Sequence, residues 1–202
     1  ENPVFPGCFG IYADGLVPGL AQMARAVQAH GAKIAIQLYH PGRRLAEFRP
    51  GLPAVSASPV PHFMDGNVPH ELTKAEIKRI VEAYGDGGRR ARDAGYDGVE
   101  IHGAHGFLPN QFLSPWTNKR TDEYGGSIEN RVRFACEIMQ NIKSKAGLDF
   151  PIIFRMDGDD GVEGGITIED ASQQAPYLVE AGADALHVSC GIREGHHRQF
   201  IT

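Results

Sequence analysis

The sequence predicts an α/β fold, a TIM (β/α)8 barrel of which about four β/α units are present in this chain. Three observations support it. Predicted helices and strands alternate along the 202 residues, long segments follow the strands, and each strand has one apolar and one partly polar face. Alternation of this kind is typical of a parallel sheet. Long loops at the carboxyl ends of the strands mark the functional face of a barrel or a doubly wound sheet.

The elements of the first half follow from periodicity and from helix-end signals. A helix is predicted over 16–31, where the apolar spacing is near 3.6 and a glycine follows. The strand KIAIQLYH covers 33–40, and the Pro-, Gly- and Ser-rich residues 41–70 are expected to form a long loop. The capping-box pattern T-K-A-E at Thr73 then predicts a helix that ends at Gly95.

The second half repeats this alternation of strand, loop and helix. Its helices have the same kinds of N-terminal signal, a serine at 127 and the pattern T-I-E-D at 167. We predict, in order, a strand over 97–102, a long loop over 103–126, a helix over 127–147, a strand over 151–157, a helix over 167–182 and a strand over 185–191.

The two faces of each strand favour the barrel over a doubly wound sheet. Side chains alternate between the faces of a strand, and one face of every predicted strand is wholly apolar. The other face turns polar toward the carboxyl end, which suits a barrel interior but would be costly where both faces meet helices. No G-x-G-x-x-G follows any strand. The partly polar face carries Ala35, Gln37, Tyr39, Glu100, His102, Ile153, Arg155, Asp157, Ala185, His187 and Ser189.

Four strands are half of the number that a closed barrel of this type requires. We therefore expect residues 1–202 to be the central part of one longer TIM-barrel domain, with further strands on both sides. A separate half barrel has two open sheet edges, which favour self-association, so a homo-oligomer is among the expectations.

Composition excludes several classes of partner. The 20 Lys and Arg against 25 Asp and Glu give a net charge of -5, so the basic footprint of a nucleic-acid-binding protein is missing. No apolar run approaches the length of a membrane helix, and the N-terminus lacks the features of a signal peptide. None of the three cysteines forms a C-x-x-C, so we expect no disulfide framework and a cytoplasmic setting.

Two histidines end the strand in GVEIHGAHGFLPNQFLSP, residues 98–115. His102 and His105 could be hydrogen-bonded structural residues or half of a zinc site, although only Glu100 is a nearby further ligand. Arg155 on the inner face cannot lose its charge and needs an anion. That anion is either a neighbouring carboxylate, Glu100 or Asp157, or a ligand.

Three stretches resemble the Old Yellow Enzyme family of FMN-dependent ene reductases. They are QLYHPGR (37–43), HGAHGFLPNQFLSPWTNKRTDEYGGSIENRVRF (102–134) and IFRMDGDDGVEGGITIED (153–170), and the resemblance extends over essentially the whole chain. The last stretch is most similar to longer members such as 2-enoate and 2,4-dienoyl-CoA reductases. The resemblance implies FMN as cofactor, NAD(P)H as reductant and an enone or enoyl substrate. For a longer parent it also implies an iron–sulfur cluster and FAD outside this segment.

The resemblance also implies roles for individual residues. Gln37 matches the glutamine at the flavin pyrimidine edge, and Arg155 matches the arginine beside flavin N1 and O2. His102 and His105 match the catalytic pair that holds the substrate carbonyl, where two N–H donors stabilise the charge that develops on oxygen. Arg120, Asp122, Glu129, Asn130 and Arg131 are expected to join the loop to the next helix.

Phe107 stands where the family usually has a tyrosine that protonates the substrate. Phenylalanine has no proton to give, so the acid is solvent, Tyr39 or a residue outside this segment. Both Tyr39 and Phe107 are expected to contact the substrate. The departure also keeps two alternatives open: a flavin-dependent amine dehydrogenase of the same fold, and a non-catalytic barrel fragment. Because strands with flavin and phosphate contacts are absent, we expect the isolated segment to bind FMN poorly and to be largely inactive.

Overall fold

The structure is a computed structural model that describes residues 9–198. Six α-helices are assigned within this range: α1 Val17–Gln28, α2 Leu45–Phe48, α3 Lys74–Asp93, α4 Leu108–Leu113, α5 Ile128–Ala146 and α6 Ile168–Glu180. The strands of the same range are β1 Ala35–Leu38, β2 Val55–Ser56, β3 His70–Glu71, β4 Gly98–Gly103, β5 Ile152–Asp157 and β6 Ala185–Ser189. Short 3-10 turns cover Asp14–Leu16, Gly42–Arg44 and Arg193–Arg198.

The main sheet has four parallel strands in the order β1-β4-β5-β6. Each predicted strand is present: three are one to four residues shorter than predicted, and β4 has the predicted length but is shifted by one residue. A helix follows each of the first three strands before the next one begins. Parallel neighbours joined through helices confirm the predicted α/β class. The side chains of Val99, Ile101, Ile152 and Phe154 on the apolar face are fully buried beneath the helices.

The predicted helix starts are confirmed by their caps. Thr73 accepts a hydrogen bond from the Glu76 N–H, and the Glu76 side chain accepts one from the Thr73 N–H, which completes the capping box of α3. Thr167 and Asp170 form the same reciprocal pair at α6. At α5 the Ser127 hydroxyl accepts from a backbone N–H of the first turn. Each cap satisfies N–H groups that a helix end leaves without partners.

The prediction that residues 41–70 and 103–126 are plain loops is wrong. The first segment contains α2 and two short strands, β2 and β3, which pair in parallel. The second contains α4, whose six residues are all buried. The guanidinium of Arg120 also joins the two segments, since it donates to the carbonyl oxygens of Ala57 at 3.0 Å and Leu72 at 2.7 Å. As expected, the following helix is joined to the loop, since Asn130 donates to the Gly125 carbonyl and Arg131 to the Gly126 carbonyl. Arg120 and Asp122, which were also expected to make this connection, pair with one another within the loop.

Glycines on α3 allow this helix to lie close against α5. A Cβ added at Gly88 would be 2.7 Å from Cγ2 of Ile142, a side chain that is itself fully buried. A core packed at this density accommodates an extra methyl group only by displacing its neighbours. By contrast, Gly19 on α1 has no atom within 4 Å of the position of its missing Cβ.

These two glycines provide a matched test of the α3–α5 contact. Alanine normally favours a helix over glycine by about 1 kcal/mol, so Gly19→Ala should raise the free energy of unfolding. Gly88→Ala gains the same helix propensity, but its extra methyl group overpacks the core and lowers the free energy of unfolding by about 1–3 kcal/mol. We expect Gly88→Ala to be the less stable variant by about that amount in urea unfolding. Equal stability of the two variants would show that α3 and α5 are not in close contact.

Candidate active site

The polar side chains of the inner face meet near the carboxyl ends of the main strands. The strand register places Gln37 beside Glu100, and it places His102 beside Arg155, which is in turn beside His187. The main strands thus place Gln37 and Arg155, the two residues that the sequence predicted for cofactor binding, on the same face of the sheet. This follows from the period-2 alternation of side chains in parallel strands of matched register.

The structure separates Arg155 from the nearest candidate anion, Glu100. The Glu100 carboxylate accepts from the Gln37 amide at 2.5 Å and lies 2.7 Å from Nδ1 of His187. Arg155 instead donates through Nη2 to the hydroxyl of Ser189 at 3.2 Å, and its buried Nε has no partner among residues 9–198. Of the three anions left open for Arg155, Glu100 is therefore not its ion-pair partner among the described residues. A permanent cation with an unsatisfied donor is a group suited to an anionic ligand.

His102 and His105 lie next to one another as predicted. Their ring centroids are 5.5 Å apart, and the ring planes are nearly perpendicular. His102 is only 7% exposed, and its Nδ1 has no hydrogen-bond partner among the described residues. Burial, with a smaller contribution from His105 and nearby cations, lowers the pKa of His102 to about 3. Burial likewise lowers the pKa of His105, so both rings are neutral near pH 7.

The backbone of His105 adopts a conformation that non-glycine residues rarely use. Its φ is +57°, and its N–H donates to Oδ2 of Asp157 at 2.7 Å. Its ring is held at both nitrogens, with Nδ1 3.0 Å from the carbonyl oxygen of Gly191 and Nε2 2.8 Å from the hydroxyl of Ser189. A strained residue with so many contacts is characteristic of a site whose geometry is fixed in advance.

Two buried carboxyl groups hold the loop that carries His105. The sequence analysis did not predict this role. Asp157 and Asp160 are both fully buried, and the amide of Asn110 lies 3.3 Å from each of them. Asp160 also accepts from the Ser114 hydroxyl and the Ile166 N–H. Burial raises the pKa of both carboxyl groups, and Asp160 further raises that of Asp157. The only sequence signal was the acidic run DGDD (157–160), which begins at the last residue of the predicted strand.

The Phe107 ring packs against both His102 and Tyr39. Its ring centroid is 4.5 Å from that of His102 and 5.4 Å from that of Tyr39. With His105 beside His102, the four predicted substrate contacts form one cluster. Arg44, which the sequence analysis did not single out, lies with its guanidinium carbon 4.4 Å from the Phe107 ring centroid. Arg44 also donates to the carbonyl oxygen of His105 at 2.7 Å, which makes it a second support for the histidine loop.

The described residues lack the features of two other classes of site. Across residues 9–198, no group of three or more His, Cys, Asp or Glu side chains comes together as a metal site would require. Within the same range, no helix combines the length and the apolar character that crossing a membrane requires.

Residues 2–193 match the NADH:flavin oxidoreductase / NADH oxidase family. The chain belongs to this family. This membership confirms the resemblance that the motifs at 37–43, 102–134 and 153–170 predicted. Members of the family use FMN and NAD(P)H.

The similar family members are much longer than this chain. An NADH oxidase of Thermoanaerobacter brockii is 48% identical over 90% of this chain, which spans 28% of that protein. An NADPH dehydrogenase of Geobacillus sp. strain WCH70 is 44% identical over 90% of this chain, which covers 52% of that protein. The structure of 2-naphthoyl-CoA reductase in complex with 2-naphthoyl-CoA matches with a TM-score of 0.86 and 31% identity, covering 94% of this chain and 31% of that one. The predicted fold class, part of a TIM barrel of this family, is confirmed.

The lowered pKa of His102 predicts a pH dependence of stability. In the unfolded chain the ring takes up a proton below its ordinary pKa of 6.5, whereas the folded chain excludes that proton until about pH 3. Stability from this group is therefore present above pH 6.5 and falls by up to about 1.4 kcal/mol per pH unit below it. His102→Gln should lessen the loss of unfolding free energy between pH 6.5 and 4, measured by urea titration. His30→Gln, which removes an exposed imidazole, is the control. If unfolding free energy changed equally with pH in the unaltered protein and both variants, the predicted contribution of His102 would be refuted.

Proposed function

We propose that this chain is the central part of an FMN-binding TIM barrel whose parent protein reduces activated C=C bonds. The substrates would be α,β-unsaturated carbonyl or enoyl compounds, and the electrons would come from NAD(P)H. One observation carries the proposal: neutral His102 and charged Arg155 occupy neighbouring register positions. Each has a buried ring or guanidinium nitrogen that lacks a partner among residues 9–198. Family membership and the NADH- and NADPH-named relatives support the redox class.

The inner face offers suitable residues for a flavin. Arg155 has a fixed positive charge and an unpartnered Nε, and both fit the electron-rich edge of a reduced isoalloxazine. Gln37 lies two strands away on the same face, with an amide that can exchange its Glu100 partner for a ring edge. FMN, when bound, would supply the hydride; Gln37 and Arg155 would hold and orient it.

The histidine pair would polarise the substrate carbonyl. When hydride reaches the β-carbon, negative charge develops on that oxygen, and a donor preorganised in a dry site stabilises it more than the ground state. His102 is nearly fully buried, is packed against Phe107 and is available to donate. Because Phe107 cannot protonate the α-carbon, the proton must come from Tyr39, from solvent or from a residue outside these 202.

The absence of an acid at Phe107 also supports a second candidate, oxidation of an amine by the flavin. Such a reaction needs no proton donor at the substrate carbon, and the same fold and cofactor would serve it. The two candidates differ in which compound reduces the flavin. Bleaching of the parent protein by NAD(P)H followed by reoxidation with an enone supports the first, and bleaching by an amine but not by NAD(P)H supports the second.

Replacement of His102 tests the proposed catalytic role. In the FMN-loaded parent protein, His102→Ala should lower kcat for reduction of 2-cyclohexenone by about 10²–10³-fold, because one oxyanion donor is lost. The flavin absorption spectrum and its reduction by NAD(P)H should persist. His30→Ala, at an exposed site, is the matched control. An unchanged kcat in His102→Ala would remove this residue from the mechanism.

Flavin binding by the separate chain tests the proposed domain assignment. In TIM barrels a phosphate site commonly lies in the loops after strands 7 and 8, which under this proposal belong to the rest of the parent. We therefore expect gel-filtered samples of the 202-residue chain to retain far less than one FMN, measured by visible absorption, while the parent retains it. Stoichiometric FMN on the short chain would contradict the assignment. A parent that stays colourless with added FMN would favour a non-catalytic barrel.

A further inference from the structure

A chain of hydrogen bonds runs through His105 in one direction only. At one end, the Arg155 guanidinium can only donate, and its Nη2 is 3.2 Å from the hydroxyl oxygen of Ser189. At the other end, the carbonyl oxygen of Gly191 can only accept, and it lies 3.0 Å from Nδ1 of His105. The two groups between these ends must therefore pass hydrogen bonds from Arg155 toward Gly191.

The direction of this chain fixes the tautomer of His105. Nδ1 must hold the proton that is donated to Gly191, and a neutral imidazole has only one N–H. Nε2 consequently has a lone pair, which accepts from the Ser189 hydroxyl at 2.8 Å. Ser189 is free to donate there because it receives its own hydrogen bond from Arg155. His105 therefore has no N–H left for a ligand.

His102 differs from His105 in every one of these respects. Its Nδ1 has no partner in residues 9–198, and its ring lies against the Phe107 ring rather than in a polar chain. Its single N–H is not committed to any group of the described residues and can be donated to a ligand oxygen. The sequence motif does not distinguish the two histidines. In the structure, His102 can donate a hydrogen bond to a ligand, and His105 can only accept one.

We propose that His105 is held as its Nδ1–H tautomer, so that a carbonyl oxygen obtains hydrogen bonds from both histidines only when His105 takes up a proton. A ligand oxygen at this pair takes the place of the Ser189 hydroxyl at Nε2 of His105. A hydroxyl oxygen needs no added proton there, since it accepts from His102 and donates its own hydrogen to Nε2. Binding of a ketone at this pair is therefore coupled to proton uptake, and binding of a neutral phenol is not. The inference depends on the proposed function only in taking the pair as the ligand pocket.

The groups around His105 keep that proton away in the absence of a ligand. Burial has the largest effect and lowers the pKa of His105, whereas the hydrogen bond to Gly191 raises it. Arg155, Arg44 and His187 further disfavour the imidazolium, so the pKa lies below its ordinary value. Asp157 also faces the ring, with Oδ1 3.7 Å from Nδ1, and burial raises the pKa of that carboxyl. A ligand oxygen that accepts from Nε2 stabilises the protonated ring, which couples the two events.

The tautomer is tested directly by nuclear magnetic resonance. In the full chain with ¹⁵N-labelled imidazoles, long-range ¹H–¹⁵N spectra at pH 8, assigned with His105→Gln, should show His105 protonated on Nδ1 and bare on Nε2. Ser189→Ala removes the hydroxyl that stabilises the neutral ring and should raise the pH midpoint of His105. A proton on Nε2 at pH 8 would overturn the inference. This result does not depend on flavin chemistry, so it is separate from any failure of the proposed function.

Calorimetry of the FMN-loaded parent protein tests the coupling itself. Titrations at pH 8 in buffers of different ionisation enthalpy should give uptake of about one proton per 2-cyclohexenone bound and close to none for 4-methylphenol. The Kd for the ketone should rise by up to about tenfold for each unit by which the pH is increased. His105→Asn keeps an N–H donor that does not titrate and should abolish the uptake. Ketone binding without proton uptake by the unaltered protein would refute the proposal.

Discussion

The buried carboxyl group of Asp157 joins the end of β5 to the loop that carries His105, and the geometry of the site depends on this junction. Its Oδ2 accepts the His105 N–H at 2.7 Å and holds that residue at a φ of +57°. A non-glycine residue in this region costs of order 1–3 kcal/mol and persists only where its surroundings determine it. Since Asp157 is inaccessible to solvent, no water competes for the bond. The strained backbone then directs the imidazole toward Ser189 and Gly191.

The same junction determines where the wall of the pocket lies. Asn110, in the first turn of α4, bridges Asp157 and Asp160 with its amide and accepts from the Gly106 N–H with its oxygen. Phe107 immediately precedes α4, so its ring is fixed relative to the end of β5. Two buried carboxyls side by side are unfavourable as two charges, and the raised pKa of each reflects this. A shared hydrogen-bond donor is what makes the arrangement tolerable in the interior.

The parts of the fold that sequence predicts are those with local signals. The main strands and their polar faces follow from period-2 alternation, and α3 and α6 follow from their capping boxes. The short elements β2 and β3 have two residues each and are held by Arg120 from a distant segment, so no window of sequence reveals them. The roles of Asp160 and Arg44 likewise arise only from contacts between segments far apart in the chain. The histidines and Arg155 were predictable because strand ends bring them together.

The exposed parts of the sheet are consistent with the proposal that this chain is part of a larger barrel. Within the described residues, β1 pairs only with β4 and β6 only with β5, so each outer strand has an unpaired edge. On β6, Val188 belongs to the apolar face yet is 64% exposed, whereas its neighbours on β5 are buried. Open parallel edges with exposed apolar residues are costly in water, and proteins normally cover or pair them. A further β/α unit beside β6 would bury Val188, and it would also lie beside Ser189, whose hydroxyl joins Arg155 to His105.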